Sequence, residues 1–182
     1  MNQAYKNILL DLDGTVYIDD QIIDKADAEI IRLNKKGFNF FYLTNNTSKN
    51  TNNYIAKLRN FNLPVNEKSI ISPIDVVVNW IKKNNYSRIY LVGVEALKEE
   101  LSRKTGVFFT PQDPECIIIG FDKELTYKKL ETASRLIHLG VSYFLTHIDY
   151  YCPTFYGKLP DCGAIGLMLE KTTGVKSAGH FG

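Results

Sequence analysis

An apolar run that breaks into two carboxylates one residue apart constrains this chain more than any other feature: Ile8-Leu9-Leu10-Asp11-Leu12-Asp13-Gly14-Thr15-Val16-Tyr17. Ile8 to Leu10 read as a strand buried on both faces, as central strands of parallel sheets are. Asp11 and Asp13 then fall at its carboxyl end, where open α/β sheets hold their ligands. Gly14 permits a sharp turn away from the sheet and leaves backbone N–H groups free to face an anion. Two acids this close repel each other, so a metal ion or a shared proton is expected to relieve them. The plain alternative is a polar turn after a strand, where Asp and Gly are ordinary residues.

Downstream, Asp24 is expected to open a helix and Gly37 to close it, with Ile30, Ile31 and Leu33 as its apolar positions. A second apolar strand, Phe38 to Leu43, ends in Thr44-Asn45-Asn46-Thr47-Ser48. Strand, helix and strand of these lengths make a right-handed βαβ unit, which brings the tip of the second strand beside Asp11. There Thr44 offers a hydroxyl, and Asn45 a backbone N–H, to a bound anion. The same polar cluster is expected to cap a following helix that carries Tyr54, Ile55, Leu58 and Phe61.

Ile70 to Ser72 read as a third strand, followed by a helix with Val77, Val78, Trp80 and Ile81. Lys82-Lys83-Asn84-Asn85 is polar and marks a boundary. Beyond it a second strand–helix series begins. Its strands are Arg88 to Gly93, Cys116 to Gly120 and Val141 to Thr146; its helices run from about Glu95 to Lys104, Thr126 to His138 and Ala164 to Thr172. Such alternation predicts a second, smaller α/β layer.

Composition narrows the function classes. The chain has 182 residues and a formal net charge of +2, which gives no argument for a nucleic-acid or membrane partner. No apolar run approaches the roughly 20 residues of a membrane span, and the amino terminus lacks a signal-peptide core. Cys116, Cys152 and Cys162 are an odd number without a C-x-x-C pair, which speaks against a disulfide framework or a zinc site. A cytoplasmic protein is expected.

The D-x-D-G-T-V string resembles the first motif of the haloacid dehalogenase superfamily, whose commonest members are Mg²⁺-dependent phosphatases. The resemblance implies an α/β fold: a Rossmann-like parallel-sheet core with a smaller α/β cap. It implies Asp11 as the nucleophile that forms an aspartyl-phosphate, Asp13 as general acid/base, and both as ligands of Mg²⁺. A carboxylate nucleophile splits one hard step into two, and a neighbouring carboxylate can hold the proton. The T-N-N-T-S string is similar to the second motif, and its longer form resembles the class IIA, p-nitrophenylphosphatase-like branch. Thr44 and Asn45, with Gly14, are then phosphoryl contacts.

The second block resembles a class IIA cap, so the implied domains are 1–80 for the amino-terminal part of the core, 81–178 for the cap, and 179–182 for the start of a return to the core. In the family, the segment after the last cap strand and the glycine-containing loop before the last cap helix face the substrate. Here these are His147-Ile148-Asp149 and Asp161-Cys162-Gly163. The resemblance thus adds His147, Asp149, Cys162 and Gly163 to the substrate contacts, although the family usually reads Asn-Pro-Asp where this chain has His-Ile-Asp.

The family also carries a third motif, a Lys in a G-K-P string, and a fourth, an acidic pair that completes the metal shell. This sequence ends Ala178-Gly179-His180-Phe181-Gly182 and holds neither. The resemblance therefore implies a chain cut short, with the first strand left as an apolar sheet edge that a second copy would cover as a homodimer. Three functions stay open: a phosphatase acting on a small phosphorylated metabolite, a non-catalytic binding or dimerising module, and a phosphoacceptor regulator of the receiver kind.

Overall fold

In the computed structural model, which describes residues 6–182, the strand that carries the two acids is β1 (Asn7–Asp11). A small hairpin follows, β2 (Tyr17–Ile18) with β3 (Gln21–Ile22), then α1 (Ala26–Lys35), β4 (Asn39–Leu43), α2 (Thr51–Asn60) and β5 (Ile70–Ile71). β1, β4 and β5 form a parallel sheet in that order, with Asp11 opposite Leu43 and Leu43 opposite Ile71. The strand–helix–strand unit expected around Asp11 is therefore present. Residues 6–44, together with 51–71 and 153–157, pack as one unit. Its core gathers Leu12 and Val16 from the turn after β1, Phe40 and Tyr42 from β4, and Tyr54 and Leu58 from α2. The two-residue period of β4 sends Phe40 and Tyr42 to the same buried face. Tyr42 lies wholly inside, its hydroxyl donating to Pro64 O at 2.9 Å, and burial pushes its pKa up to about 12.

Three expectations change here. β1 is not buried on both faces: it bonds only to β4 among the described strands, and Leu9 is 61% exposed. Asp24 does not cap α1; Lys25 holds the cap position with a φ of 60° and makes no side-chain cap bond, while Gly37, at φ +89°, does follow the helix end. The helix after the T-N-N-T-S cluster starts at Thr51, three residues beyond Ser48.

The second unit comprises residues 45–50, 72–152 and 158–182. Its elements are α3 (Pro73–Lys83), β6 (Arg88–Val92), α4 (Glu95–Thr105), β7 (Phe108–Phe109), β8 (Cys116–Ile119), α5 (Tyr127–His138) and β9 (Tyr143–Leu145). A paired β10 (Tyr151–Thr154) and β11 (Gly157–Pro160) follow, then α6 (Cys162–Thr173) and β12 (Gly179–His180). The main sheet is parallel throughout, ordered β12-β9-β8-β6-β7. Central β8 is buried at all four positions, as an unbroken apolar run in a parallel sheet should be. Ile89, Leu91, Cys116 and Ile118 join α3 and α4 in one apolar cluster. Val92, Ile117, Ile119 and Tyr143 join α5 and α6 in another. Helices thus cover both faces.

The crossing between the units nearest the polar stretch Lys82 to Asn85 lies earlier, at Ile71/Ser72. The cause is the apolar face of α3: Ile74, Val77, Val78 and Ile81 pack into the second unit's core, and Trp80 stacks against Tyr86, Phe144 and Phe181 at 4.9, 4.6 and 5.2 Å between ring centres. Residues 179–182 also lie in this unit, where β12 pairs with β9. Among the described residues no helix is long and apolar enough to cross a membrane.

Candidate active site

Asp11 is the last residue of β1, and the chain turns at once. Leu12 N donates to Leu43 O at 3.0 Å, which keeps the turn locked to the end of β4. Leu12 O then accepts from Thr15, Val16 and Tyr17 N at 3.2, 2.9 and 3.3 Å, winding the next residues into a tight knot. Gly14, at φ +89°, supplies the backbone conformation this knot needs. Its amide is not left free for an anion, however: Gly14 N donates to Tyr17 O at 2.8 Å. Gly14 is exposed, and its contribution lies in the turn.

The knot aims the two acids differently. Asp11 is exposed, and its Oδ2 accepts the Thr15 hydroxyl at 2.8 Å. Asp13 is half-buried, and its Oδ2 accepts the Thr44 hydroxyl at 3.3 Å. Thr44 follows β4 directly, its amide donating to Ile71 O at 3.1 Å, so three neighbouring parallel strands fix where its hydroxyl lies. The same hydroxyl is 3.3 Å from that of Tyr54, a residue of α2. Thr44 therefore meets Asp13 rather than Asp11.

Among the described residues no group of three or more His, Cys, Asp or Glu side chains could hold a metal ion. A small hard cation that keeps several waters needs only one or two protein carboxylates, a donor type that Asp11 and Asp13 match.

The hairpin after the knot is held by Lys57 of α2. Its ammonium caps Asp19 O, lies 3.3 Å from the Asp20 carboxylate and sits over the Tyr17 ring at 3.7 Å from the centroid. Residues 153–157 belong to this unit as well: Phe155 N donates to Asp19 Oδ2 at 3.1 Å.

The remaining expected contacts gather in the second unit. Asn45 and Asp149 are both exposed, and Asn45 Nδ2 donates to Asp149 Oδ2 at 3.2 Å. His147, in contrast, is fully buried, its Nε2 2.9 Å from Asp161 Oδ1 and its Nδ1 3.1 Å from the Thr146 hydroxyl. Cys162 and Gly163 are not in a loop; they open α6, with Asp161 as the cap whose side chain accepts from Cys162 N at 2.6 Å. Cys162 is buried, its thiol donating to Ile119 O at 3.1 Å, and burial pushes that thiol up to about 11. Gly163 passes so close to the loop before it that a Cβ would stand 2.2 Å from Ile148 O, and its amide donates to Asp149 O at 2.8 Å. Of these residues His147 and Cys162 are buried, Gly163 packs against the loop before it, and Asn45 and Asp149 are the exposed polar groups.

Thr15 and Tyr54 were given no site role in the sequence, and Asp161 was named only as part of the loop Asp161-Cys162-Gly163. Asp161 carried a signal, since an Asp two or three residues before an apolar helical stretch is an N-cap pattern. Tyr54 read only as a core position.

A family model described as haloacid dehalogenase-like hydrolase matches residues 8–106. The chain is 30% identical over 174 residues to an acid sugar phosphatase of Staphylococcus aureus, covering 95% of this chain and 67% of that protein. It is 27% identical over 175 residues to the 5'-nucleotidase YutF of Bacillus subtilis, covering 96% and 68% respectively. The crystal structure of a 4-nitrophenylphosphatase from Thermotoga maritima superposes with a TM-score of 0.88 at 32% identity, over 97% of this chain and 68% of that one.

Proposed function

Since this chain belongs to the haloacid dehalogenase-like hydrolases, on their class IIA, p-nitrophenylphosphatase-like branch, we propose that it hydrolyses small phosphomonoesters through an aspartyl-phosphate on Asp11. The observation that carries this reading is the placing of Asp11 and Asp13 at the carboxyl end of β1, with the Thr44 hydroxyl from β4 at 3.3 Å from Asp13. Thr15 occupies Asp11 Oδ2, so Oδ1 is the attacking atom. It bonds to phosphorus as the bond to the leaving oxygen breaks, and Asp13 gives its proton to that oxygen. In the second step Asp13 takes a proton from water, whose oxygen displaces Asp11 Oδ1 from phosphorus. Inorganic phosphate leaves and both carboxylates return to their starting states. With the phosphoryl group bound, the Thr44 hydroxyl turns its one proton from Asp13 to a phosphoryl oxygen.

Mg²⁺ would be held by Asp11 and Asp13 and would offset negative charge on the phosphoryl group. The relatives are named for a sugar phosphate, a nucleotide and an aryl phosphate, so the common element is the phosphomonoester; Asn45 and Asp149 are read as polar ligand contacts. A cytoplasmic setting fits three buried free thiols.

A second reading, in which the chain binds phosphate or Mg²⁺ without turnover, makes a different prediction. Hydrolysis of p-nitrophenyl phosphate with Mg²⁺, by the chain and by its Asp11→Asn variant, separates the two. Turnover that disappears in Asp11→Asn supports the phosphatase. Phosphate binding without turnover supports the second reading.

A further inference from the structure

The buried side chains at the carboxyl end of β9 form one connected run of hydrogen bonds, and its direction can be worked out. Phe121 N donates to Thr47 Oγ1 at 3.0 Å, so the Thr47 proton is free to go to Thr146 Oγ1, 3.1 Å away. Thr146 then has one proton and two acceptors: His147 Nδ1 at 3.1 Å and Cys162 Sγ at 3.5 Å. The nearer and stronger acceptor is the ring nitrogen. On the far side of the ring, Asp161 Oδ1 already accepts from Cys162 N, so His147 Nε2 must donate to it. The run is thereby satisfied from end to end with His147 Nε2 as a donor and Nδ1 as an acceptor. Every side chain in it is buried: Thr47, Thr146 and His147 at 0% and Asp161 at 4% exposure.

A single oxygen of Asp161 therefore serves two purposes. It caps the first turn of α6 and it anchors the ring that begins the loop His147 to Tyr150. The loop is laid across the helix start by two further bonds, Asp161 N to Tyr150 O at 3.1 Å and Gly163 N to Asp149 O at 2.8 Å. At its exposed end the loop presents Asp149 to the Asn45 amide.

We propose that His147 is a positioning residue: its buried bond to Asp161 sets the loop so that the Asp149 carboxylate receives the Asn45 side-chain amide. The proposal rests on the reading of Asn45 and Asp149 as ligand contacts, but its geometry can be tested without any ligand. The loop's lateral position is fixed where His147 meets Asp161, and Asp149 follows two residues later. Loss of the His147–Asp161 bond frees that anchor while leaving the sheet behind it intact.

The test is NMR on the full chain labelled with ¹⁵N, following the Asn45 side-chain NH₂ signals and the imidazole nitrogens of His147. In the unmodified chain Nε2 should show the protonated and Nδ1 the bare nitrogen shift; the opposite assignment overturns the proposal and needs no variant. Asp149→Ala marks where the Asn45 signals lie without their partner. Asp161→Ser keeps an N-cap residue as good as Asp but too short to reach the ring. It should move the Asn45 signals toward the Asp149→Ala position while the amides of β6 and β8 keep their exchange protection. His147→Asn, whose amide replaces Nδ1, should do the same, and His147→Gln, whose amide replaces Nε2, should restore the original positions. Asn45 signals that stay in place in a folded Asp161→Ser chain overturn the proposal. Titration with glycerol 2-phosphate tests the ligand reading separately: signals of Asn45 that ignore it remove that reading and leave the positioning result standing.

Discussion

The Thr44 hydroxyl lies 3.3 Å from Asp13 Oδ2, a contact between residues at the tips of adjacent parallel strands. It ties the proposed proton carrier to the residue proposed to grip the phosphoryl group. Thr44→Val keeps the shape and removes the donor. Losing a hydrogen bond to a charged group costs about 1.5–3 kcal/mol, so kcat/KM for p-nitrophenyl phosphate is expected to fall about 10- to 100-fold. Stability should change by only about 1 kcal/mol in urea unfolding, because the methyl fills the same buried space.

Asp13→Asn removes the group that protonates the leaving oxygen and activates water. A loss of about 10²–10⁴-fold in kcat is expected. The loss should be smaller for p-nitrophenyl phosphate, whose leaving group needs no proton, than for glycerol 2-phosphate. Steady-state kinetics on the two substrates check this, and equal losses would remove Asp13 from the role of acid.

Burial holds the Cys116 thiol at about 12, above its ordinary 9.0. The folded chain thus keeps a proton that the unfolded chain gives up. Its contribution to stability is fully present below pH about 9 and is lost as the pH rises toward about 12. Urea midpoints should fall across that window, and Cys116→Val should flatten the fall without changing behaviour at neutral pH.

Gly163→Ala would place a methyl 2.2 Å from Ile148 O, a backbone atom that cannot rotate aside. A cost at or above the upper end of the usual 1–3 kcal/mol for overpacking is expected in denaturant unfolding.

β1 is bonded on one side only among the described residues, and Leu9 is 61% exposed there. An unpaired apolar strand edge is a template for pairing with another chain. Sedimentation should show concentration-dependent dimers that Leu9→Lys converts to monomers. A monomeric unmodified chain at high concentration would sink this expectation.

Much of this arrangement is legible in the residues alone. β1, β4 and β5 stand where apolar runs end in polar punctuation, and the parallel pairing that brings Thr44 to the acids follows from the spacing of strand, helix and strand. Five of the described strands are two residues each, too short for any period to show; of these only β5 was marked, by the apolar pair Ile70-Ile71 before Ser72, and β2, β3, β7 and β12 were not. α3 was legible as a helix with one apolar face, but periodicity says which side is buried and not against what; Trp80 found its partners in Phe144 and Phe181, distant in sequence. Gly14 was legible as a turn, yet nothing local revealed that Tyr17 O would take its amide. His147 gave no sign of burial, because that depends on Asp161, fourteen residues on.

The chain passes between the two units after Thr44, Asn50, Ile71, Cys152 and Gly157, so neither unit is a contiguous stretch of gene. A cassette cut at Ser72 and Cys152 would lack Thr47, which caps Phe121 N, and would also lack α6 and β12. Its sheet would be left with β9 as an open edge and an apolar face stripped of one helix. Such a piece is expected to aggregate when expressed alone. In the recombination of natural or designed sequences, the two units have to be exchanged as interleaved sets of segments.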